Sequence, residues 1–238
     1  MTGPLPQTLR AALLTLFTLG SATSLAQTYD VTAHIDLVRR TPQPSHPGSS
    51  DVVVWLSPLD PAATPLPASR GNFVLTQKDK QFTPHLLVVP VGSSVDFPNL
   101  DPFFHNVFSL FNGKRFDLGL YEGHSHRAVL FDREGVSFIF CNIHPDMAAV
   151  VVSLSTPYYA VSQPNGNILL HNIPAGRYRL NIWAENTPVP RLNELSRTVE
   201  IGPQHTQLGT LHLETTADTT HHTNKFGEPY KPTPRDPY

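Results

Sequence analysis

The chain has 238 residues, and its 17 Lys and Arg against 19 Asp and Glu give a formal net charge of −2 at pH 7. A near-neutral chain without a basic stripe lacks the positive surface that a nucleic-acid partner requires, so no nucleic-acid binding is expected. Twenty-four prolines and only 15% charged residues favour a protein of strands, turns and loops, in one or two domains.

The first 26 residues have the pattern of a secretory signal peptide. Arg10 precedes an apolar run over residues 11–19, and Ser24-Leu25-Ala26 closes the segment. The run is shorter than the roughly 20 apolar residues that a membrane-spanning helix needs. We therefore expect residues 1–26 to be cleaved, which predicts a periplasmic or otherwise exported protein with no stable membrane span after cleavage.

The rest of the chain has the pattern of short strands. Apolar side chains alternate from Val31 to Leu37, which predicts a half-buried strand, and residues 52–56 predict a more buried one. Further strands with turn signals follow over about 72–155 and 158–213, and no segment shows a sustained helical period. An all-β fold of the β-sandwich type is therefore predicted.

The C-terminal residues 215–238 are polar and rich in proline, which predicts a disordered tail. The tail contains His221 and His222. These two histidines are able to bind a metal, but we interpret them as part of a solvated tail.

A seven-residue segment brings three metal-binding side chains together: Cys141, His144 and Met147. His105, 36 residues upstream of the cysteine, supplies a second imidazole. Two histidines, one cysteine and a weak methionine are the ligand set of a blue-copper site. Because Cys141 is the only cysteine, it forms no internal disulfide, and a free thiol in an exported protein is exposed to oxidation unless it is buried or metal-bound.

Zinc and a catalytic Cys–His pair are the alternatives for this cluster. Structural zinc sites usually contain more thiolates or paired Cys-x-x-Cys motifs, and methionine is a poor zinc ligand. A catalytic pair lacks an orienting partner and an oxyanion-hole motif, and leaves Met147 without a role. One copper ion is therefore the predicted cofactor.

Several neighbouring residues are expected to support the site. The spacing of residues 136, 138 and 140 predicts that their side chains point inward, and we expect a dry apolar shell around the metal from Phe103, Phe104, Phe138, Phe140, Ile143 and Pro145. Asn106 is expected to hydrogen-bond across the ligand loops, and His144 to be the ligand nearest the surface. His85, His124 and His126 are interpreted as surface histidines, with a role at the metal as the alternative.

These residues together resemble a cupredoxin of the plastocyanin and pseudoazurin type. The motifs that carry the resemblance are Phe82-x-Pro84, Val89-Pro-Val-Gly92, Val95-x-Phe97-x-Asn99, His105-Asn106-Val107 and Cys141-x-x-His144 with Met147. More closely, the chain is similar to bacterial exported copper proteins labelled methylamine-utilisation proteins. The resemblance implies a Greek-key cupredoxin β-sandwich over residues 70–156, with copper ligands His105, Cys141, His144 and Met147 and with redox proteins as unidentified partners.

The chain departs from the plastocyanin pattern in one respect. Plastocyanin-type loops place four residues between the histidine and the methionine, whereas here only Pro145 and Asp146 intervene. If Met147 does not reach the metal, the site is three-coordinate or open to a small ligand.

The region after the copper loop resembles a carboxypeptidase regulatory-like, transthyretin-type sandwich. The resemblance rests on Asn165-Gly166, Ile173-Pro-Ala-Gly176 and Tyr178-x-Leu180. This region lacks the opening strands of that fold, and residues 27–60 resemble them. We therefore predict a discontinuous Ig- or transthyretin-like domain over 27–60 and 157–214, with residues 52–56 in the same sheet as the C-terminal strands.

The predicted function is that of a type 1, blue-copper-like one-electron carrier rather than an enzyme. The alternatives are a copper chaperone or storage protein, and an open-site copper enzyme. An open-site enzyme needs a free coordination position on the metal. The position of Met147 therefore distinguishes this alternative from the electron carrier and from the chaperone or storage protein.

Overall fold

The computed structural model describes residues 27–39, 51–60, 71–110, 113–215 and 223–230. The predicted signal peptide and the histidines at 221 and 222 lie outside these ranges. The described residues form 17 strands and one short helix, so the prediction of an all-β fold is confirmed. No helix within these ranges is long and apolar enough to cross a membrane.

The strands between residues 72 and 154 form what we call the central sandwich. Their bounds are β3 (Asn72–Val74), β4 (Thr76–Lys78), β5 (Gln81–Thr83), β6 (Leu86–Pro90), β7 (Ser93–Pro98), β8 (His105–Ser109), β9 (Phe116–Tyr121), β10 (His126–Phe131), β11 (Gly135–Cys141) and β12 (Ala148–Leu154).

The strands before and after this region form what we call the flanking sandwich. Their bounds are β1 (Thr28–Arg39), β2 (Val53–Pro58), β13 (Tyr159–Val161), β14 (Asn167–Pro174), β15 (Gly176–Trp183), β16 (Arg197–Ile201) and β17 (Gln207–Thr215). The helix α1 (Val189–Leu195) precedes β16. It has only seven residues, too few for a helical period to be visible in the sequence.

The central sandwich consists of two main sheets and a hairpin. One sheet has the order β6-β12-β11-β8-β9, the other β10-β7-β3, and β4 pairs with β5. Apolar side chains from both sheets meet in one buried cluster, which includes Phe97 and Phe131 from the smaller sheet and Val107 and Ile139 from the larger one. This cluster also contains Cys141, so the predicted metal ligand lies at the edge of the core.

The flanking sandwich joins strands from opposite ends of the chain. One sheet has the order β14-β1-β17 and the other β13-β2-β15-β16. Strand β2 pairs with β15 over six residues, with Leu56 opposite Leu180, which confirms that residues 52–56 share a sheet with the C-terminal strands. The domain boundaries at 27–60, 70–156 and 157–214 remain a prediction, which this connectivity supports.

Strand β12 contributes side chains to the cores of both sandwiches. Because successive side chains of a strand point to opposite faces, Val151 lies in the core of the central sandwich. Val150, Val152 and Leu154 lie in the core of the flanking sandwich. Phe138 on the neighbouring β11 packs against Trp183 of β15, with ring centroids 6.5 Å apart. The larger sheet of the central sandwich therefore packs on the flanking sandwich over an apolar surface.

Candidate metal centre

Three of the predicted ligands converge at one end of the larger central sheet. His105 is the first residue of β8 and Cys141 the last residue of β11, and these two strands pair antiparallel, with Cys141 opposite Val107. The Sγ atom of Cys141 lies 3.6 Å from Nδ1 of His105 and 3.6 Å from Nδ1 of His144. One ligand atom from each side chain lies within 4.8 Å of the other two, so the three are placed to hold a single metal ion.

Backbone hydrogen bonds close the loop that carries the ligands. The amide of Cys141 donates to the carbonyl of Met147 (3.1 Å), and the amide of Met147 donates to the carbonyl of His144 (3.2 Å). The amide of Asn142 donates to the carbonyl of Asn106 on β8 (3.0 Å). The loop is thus closed on itself and joined to the strand that supplies the other histidine.

The environment of the Cys141 sulfur has two opposing effects. Burial raises the pKa of the thiol, and hydrogen bonds from the amides of Asn106, Ile143 and His144 lower it, with burial the stronger influence. The amides point at the sulfur and stabilise negative charge there. A metal cation adds the charge that makes the thiolate the favoured form, because metal binding releases the thiol proton.

Asp101 holds the imidazole of His105 in place. Its Oδ2 atom lies 2.9 Å from Nε2 of His105, and both side chains are buried. Burial lowers the pKa of His105 and outweighs the opposing effect of Asp101, which favours the neutral ring. The carboxylate beside Nε2 favours the tautomer with the proton on that nitrogen, and Nδ1 then faces Cys141 as the candidate metal ligand. A carboxylate in this role is common behind metal-binding histidines.

The Asp101 carboxylate is itself held by the turn between β4 and β5. Oδ1 accepts the amide hydrogen of Asp79 (2.7 Å) and Oδ2 that of Lys80 (3.0 Å). Burial raises the pKa of Asp101, and the hydrogen bonds from His105 and the two amides lower it. The hydrogen bonds together have the larger effect, so the pKa lies below its usual value. The sequence patterns did not predict a role for Asp101. The feature of the sequence that points to it is its position four residues before His105.

The expected apolar shell is only partly present. Phe103 packs edge-on against both imidazoles, with ring centroids 5.3 Å from His105 and 5.8 Å from His144. Phe104 is 55% exposed and Ile143 37% exposed, and Pro145 is also exposed. These three side chains are therefore exposed on the two loops that carry His105 and His144 and do not form a closed apolar shell.

The predicted inward direction of residues 136, 138 and 140 is wrong. In β11 the inward side chains are those of Ser137, Ile139 and Cys141. Since neighbouring residues of a strand face opposite sides, Phe138 and Phe140 point away from Cys141. Phe138 packs against the core of the flanking sandwich and stacks on Phe140, with ring centroids 6.5 Å apart.

Asn106 joins the site by its backbone rather than by its side chain. Its carbonyl accepts the Asn142 amide and its own amide donates to Cys141. Its side-chain Nδ2 instead donates to Oδ1 of Asp117 (2.7 Å) and to the carbonyl of Gly119 (3.0 Å) on β9. The expected link between the two ligand loops is therefore present, but it is made by the backbone of Asn106 and not by its side chain.

Met147 follows His144 in the ligand loop and is 1% exposed. It belongs to the same buried cluster as Cys141, and its backbone closes the ligand loop. Its role as the fourth ligand remains a prediction. The remaining candidates lie elsewhere: His85 bonds Glu185 (2.8 Å), His126 bonds Asp96 (2.8 Å), and His124 is exposed in a turn.

Part of the expected disordered tail packs on the metal loop. Tyr230 donates its hydroxyl to the carbonyl of Cys141 (2.6 Å), and the Lys225 amide donates to Oδ1 of Asn142 (2.9 Å). These contacts belong to residues 223–230, and the expectation of a disordered tail over 215–238 remains a prediction. Composition describes the polarity of a segment and does not show the hydrogen bonds that it makes with distant residues.

The chemistry of this donor set fits copper. A thiolate and two imidazole nitrogens are soft and intermediate ligands, which suit copper and also zinc. The sequence contains one cysteine, which separates the site from the multi-thiolate structural zinc sites.

No family model and no curated protein matches the sequence. Among solved structures, the chain is similar to a purple cupredoxin from Nitrosopumilus maritimus, with 23% identity over 35% of this chain and 99% of that one, at a TM-score of 0.32. A mutant of amicyanin in the Cu(I) form has 19% identity over 42% of this chain and 98% of its own, at a TM-score of 0.33. At these levels of identity, the assignment of a metal rests on the residues of the chain itself.

A copper-containing nitrite reductase from Thermus scotoductus is also similar, with 20% identity over 50% of this chain and 28% of that chain, at a TM-score of 0.34. This neighbour is an enzyme. The prediction that the chain is not an enzyme is therefore corrected: its structural neighbours include an enzyme beside cupredoxins, so the comparisons do not exclude catalysis. They assign no particular activity to the chain.

Proposed function

We propose that the protein binds one copper ion through His105, Cys141 and His144 and exchanges single electrons with other proteins. The observation that carries the proposal is the buried Cys141 sulfur, placed 3.6 Å from Nδ1 of each histidine. Met147, buried in the same loop, is the proposed weak fourth ligand.

The site is suited to electron exchange because its ligands are already held in place. A bound copper ion supplies a one-electron couple, and a ligand set that needs little rearrangement lets that couple operate with a small barrier. Asp101 fixes the His105 ring, and backbone bonds fix the loop. Phe103 covers both imidazoles and limits the access of water.

His144 is the proposed contact for redox partners. It is partly buried, whereas His105 and Cys141 are fully buried. The exposed Phe104, Ile143 and Pro145 lie on the adjacent loops. A partner that approaches this surface reaches the metal through a single imidazole ring.

Export and the flanking sandwich complete the proposal. The leader pattern in residues 1–26 supports a periplasmic or otherwise exported location, where a copper carrier meets its redox partners. The motifs of residues 165–180 and the pairing of β2 with β15 support a carboxypeptidase regulatory-like module around the copper domain. We also propose that the protein is related to the exported copper proteins labelled methylamine-utilisation proteins.

Visible and EPR spectra of the protein after loading with Cu(II) test the proposal. We expect intense thiolate-to-copper absorption and narrow hyperfine splitting, both lost in Cys141→Ser. His126→Gln is the matched control, because His126 is exposed and bonds Asp96 away from the site, and it should leave both signals unchanged. A weakly coloured protein with a normal EPR signal would contradict electron transfer and indicate an open copper site, as in copper handling or catalysis.

A further inference from the structure

A segment from the far end of the chain is fastened to the metal loop. Residues 223–230, which we call the C-terminal strap, make three hydrogen bonds to this region, all between 2.6 and 2.9 Å long. They join residues 83, 89 and 108 positions apart in the sequence. The three bonds therefore hold the strap against parts of the fold that are distant from it in the sequence.

Each bond reaches a residue that shapes the metal centre. The Tyr230 hydroxyl donates to the carbonyl of Cys141, the residue whose sulfur is the proposed ligand. The Lys225 amide donates to the side chain of Asn142, the next residue of the loop. Lys225 Nζ lies 2.8 Å from Oδ2 of Asp117.

Asp117 connects the strap to strand β8. Its Oδ1 atom accepts hydrogen bonds from Asn106 Nδ2 (2.7 Å) and from the Gly119 amide (2.9 Å). Asn106 in turn supplies one of the amides that donate to the Cys141 sulfur. The strap therefore contacts both elements that bring the ligands together, the Cys141 loop and the β8–β9 pair.

The strap has its own internal structure. Oδ1 of Asn224 accepts the amides of Phe226 (2.9 Å) and Glu228 (3.0 Å), and the Asn224 amide donates to the carbonyl of Glu228 (2.9 Å). Gly227 has φ +80°, a conformation that favours glycine in a turn. The turn holds Lys225 and Tyr230 in fixed positions relative to each other, so both ends of the strap contact the site together.

We propose that the C-terminal strap positions the Cys141 loop, with Tyr230 and Lys225 as positioning residues that hold the thiolate ligand in its binding geometry. This inference concerns the loop with or without metal, and its effect on copper rests on the proposed function. The two are tested separately, because the loop is observed in the metal-free protein and the ligand geometry in the copper-loaded protein.

The first experiment measures amide hydrogen exchange in the metal-free, full-length protein. The amides of Cys141, Asn142 and Met147 are reporters, since each is hydrogen-bonded within the loop or to β8. We expect Tyr230→Phe to speed their exchange roughly fivefold, the effect of losing one ordinary hydrogen bond, and Lys225→Met combined with it to speed exchange further. Tyr178→Phe is the matched control, because it also removes a tyrosine hydroxyl bond to a carbonyl, that of Pro174 (2.8 Å), in the flanking sandwich.

The second experiment records the thiolate-to-copper absorption and the reduction potential after copper loading. A positioning role predicts that Tyr230→Phe shifts both, whereas Tyr178→Phe shifts neither. A role limited to general stability would lower the midpoint of unfolding in both variants and leave the absorption maximum and the potential unchanged in both.

The outcomes are distinguishable. Unchanged exchange of the three reporter amides in Tyr230→Phe and in the double variant would overturn the inference, whatever the protein does with copper. Faster exchange with an unchanged copper spectrum would also overturn it, because the ligand would then be independent of the strap. If the wild-type protein shows no thiolate-to-copper absorption, the proposed function fails, and the exchange rates alone then decide whether the strap holds the loop.

Discussion

Nε2 of His105 and Oδ2 of Asp101 lie 2.9 Å apart inside the protein. The same carboxylate accepts two backbone amides from the β4–β5 turn. One carboxylate therefore sets the orientation of a ligand and also links it to a separate hairpin. The Nε2 side of the His105 ring is therefore held by a network of hydrogen bonds that includes the β4–β5 turn.

We expect Asp101→Asn to weaken metal binding by about ten- to a hundredfold, the range found when such supporting carboxylates are changed. Asparagine has one side-chain oxygen, so either His105 or a backbone amide loses its acceptor. Competition titrations with a chelator of known affinity measure the loss. Asp96→Asn is the control, since Asp96 also bonds a histidine, the exposed His126. Equal affinities for Asp101→Asn and the wild type would show that the carboxylate does not orient the ligand.

We expect Met147→Leu to leave the fold intact and to change the reduction potential of the copper-loaded protein. Leucine has a similar volume, so the cost in stability is less than about 1.5 kcal/mol. Leucine has no sulfur, so the proposed axial ligand is lost. Protein-film voltammetry checks the potential and thermal unfolding checks the stability. An unchanged potential would identify Met147 as a core residue and the site as three-coordinate or open.

We expect Phe138→Ala to destabilise the protein by about 2 to 3 kcal/mol, below the range for a fully buried ring because Phe138 is only partly buried. The ring packs against Trp183 across the contact between the sandwiches. Urea unfolding monitored by tryptophan fluorescence measures the loss. Phe104→Ala removes a ring that is 55% exposed and should change the stability by less than about 0.5 kcal/mol. Similar losses in both variants would argue against an apolar contact at Phe138.

The pair formed by His85 and Glu185 predicts a pH-dependent stability. Burial lowers the pKa of His85, whereas the hydrogen bond and charge of Glu185 and the charge of Asp51 raise it. The effects that raise the pKa are together larger than the effect of burial, so the pKa of His85 is raised overall. A raised pKa in the folded state stabilises the protein fully below the unfolded value, near 6.5, and this contribution disappears as the pH rises through the folded pKa.

Glu185→Gln should therefore cost more stability at pH 5.5 than at pH 8.5, as measured by urea unfolding at both values. Glu194→Gln is the control, because Glu194 pairs with Arg191, which stays charged over this range. A loss for Glu185→Gln that is the same at both pH values would mean that the charge on His85 does not contribute.

The sequence predicted those features that depend on local patterns. The alternation from Val31 to Leu37 predicted β1, and the spacing of Cys141 and His144 predicted two ligands that the structure brings together with His105. The pattern failed where two residues of one strand face different cores, as Ile139 and Phe138 do. Both are apolar, so alternation alone did not identify the metal-facing side.

Features that depend on distant partners were not visible in the sequence. The two amides of the β4–β5 turn that hold the Asp101 carboxylate come from residues about 20 positions away, and no local pattern connects them to it. Tyr230 lies in a polar, Pro-rich segment, and its bond to Cys141 spans 89 residues. Such contacts are set by how the sheets pack, which no local pattern records.

The pairing of β1 with β17 has a consequence for how the protein is made. Residue 32 pairs with 207 and residue 39 with 215, whereas the strands of the central sandwich lie between residues 72 and 154. As the chain is synthesised from its N-terminus, the strands of the central sandwich become available long before β1 gains β17, the second of its two partners after β14. An unpaired strand edge attracts other chains, so a product that stops short of residue 207 would carry His105, Cys141 and His144 on a molecule in which one edge of β1 is unpaired and open to aggregation.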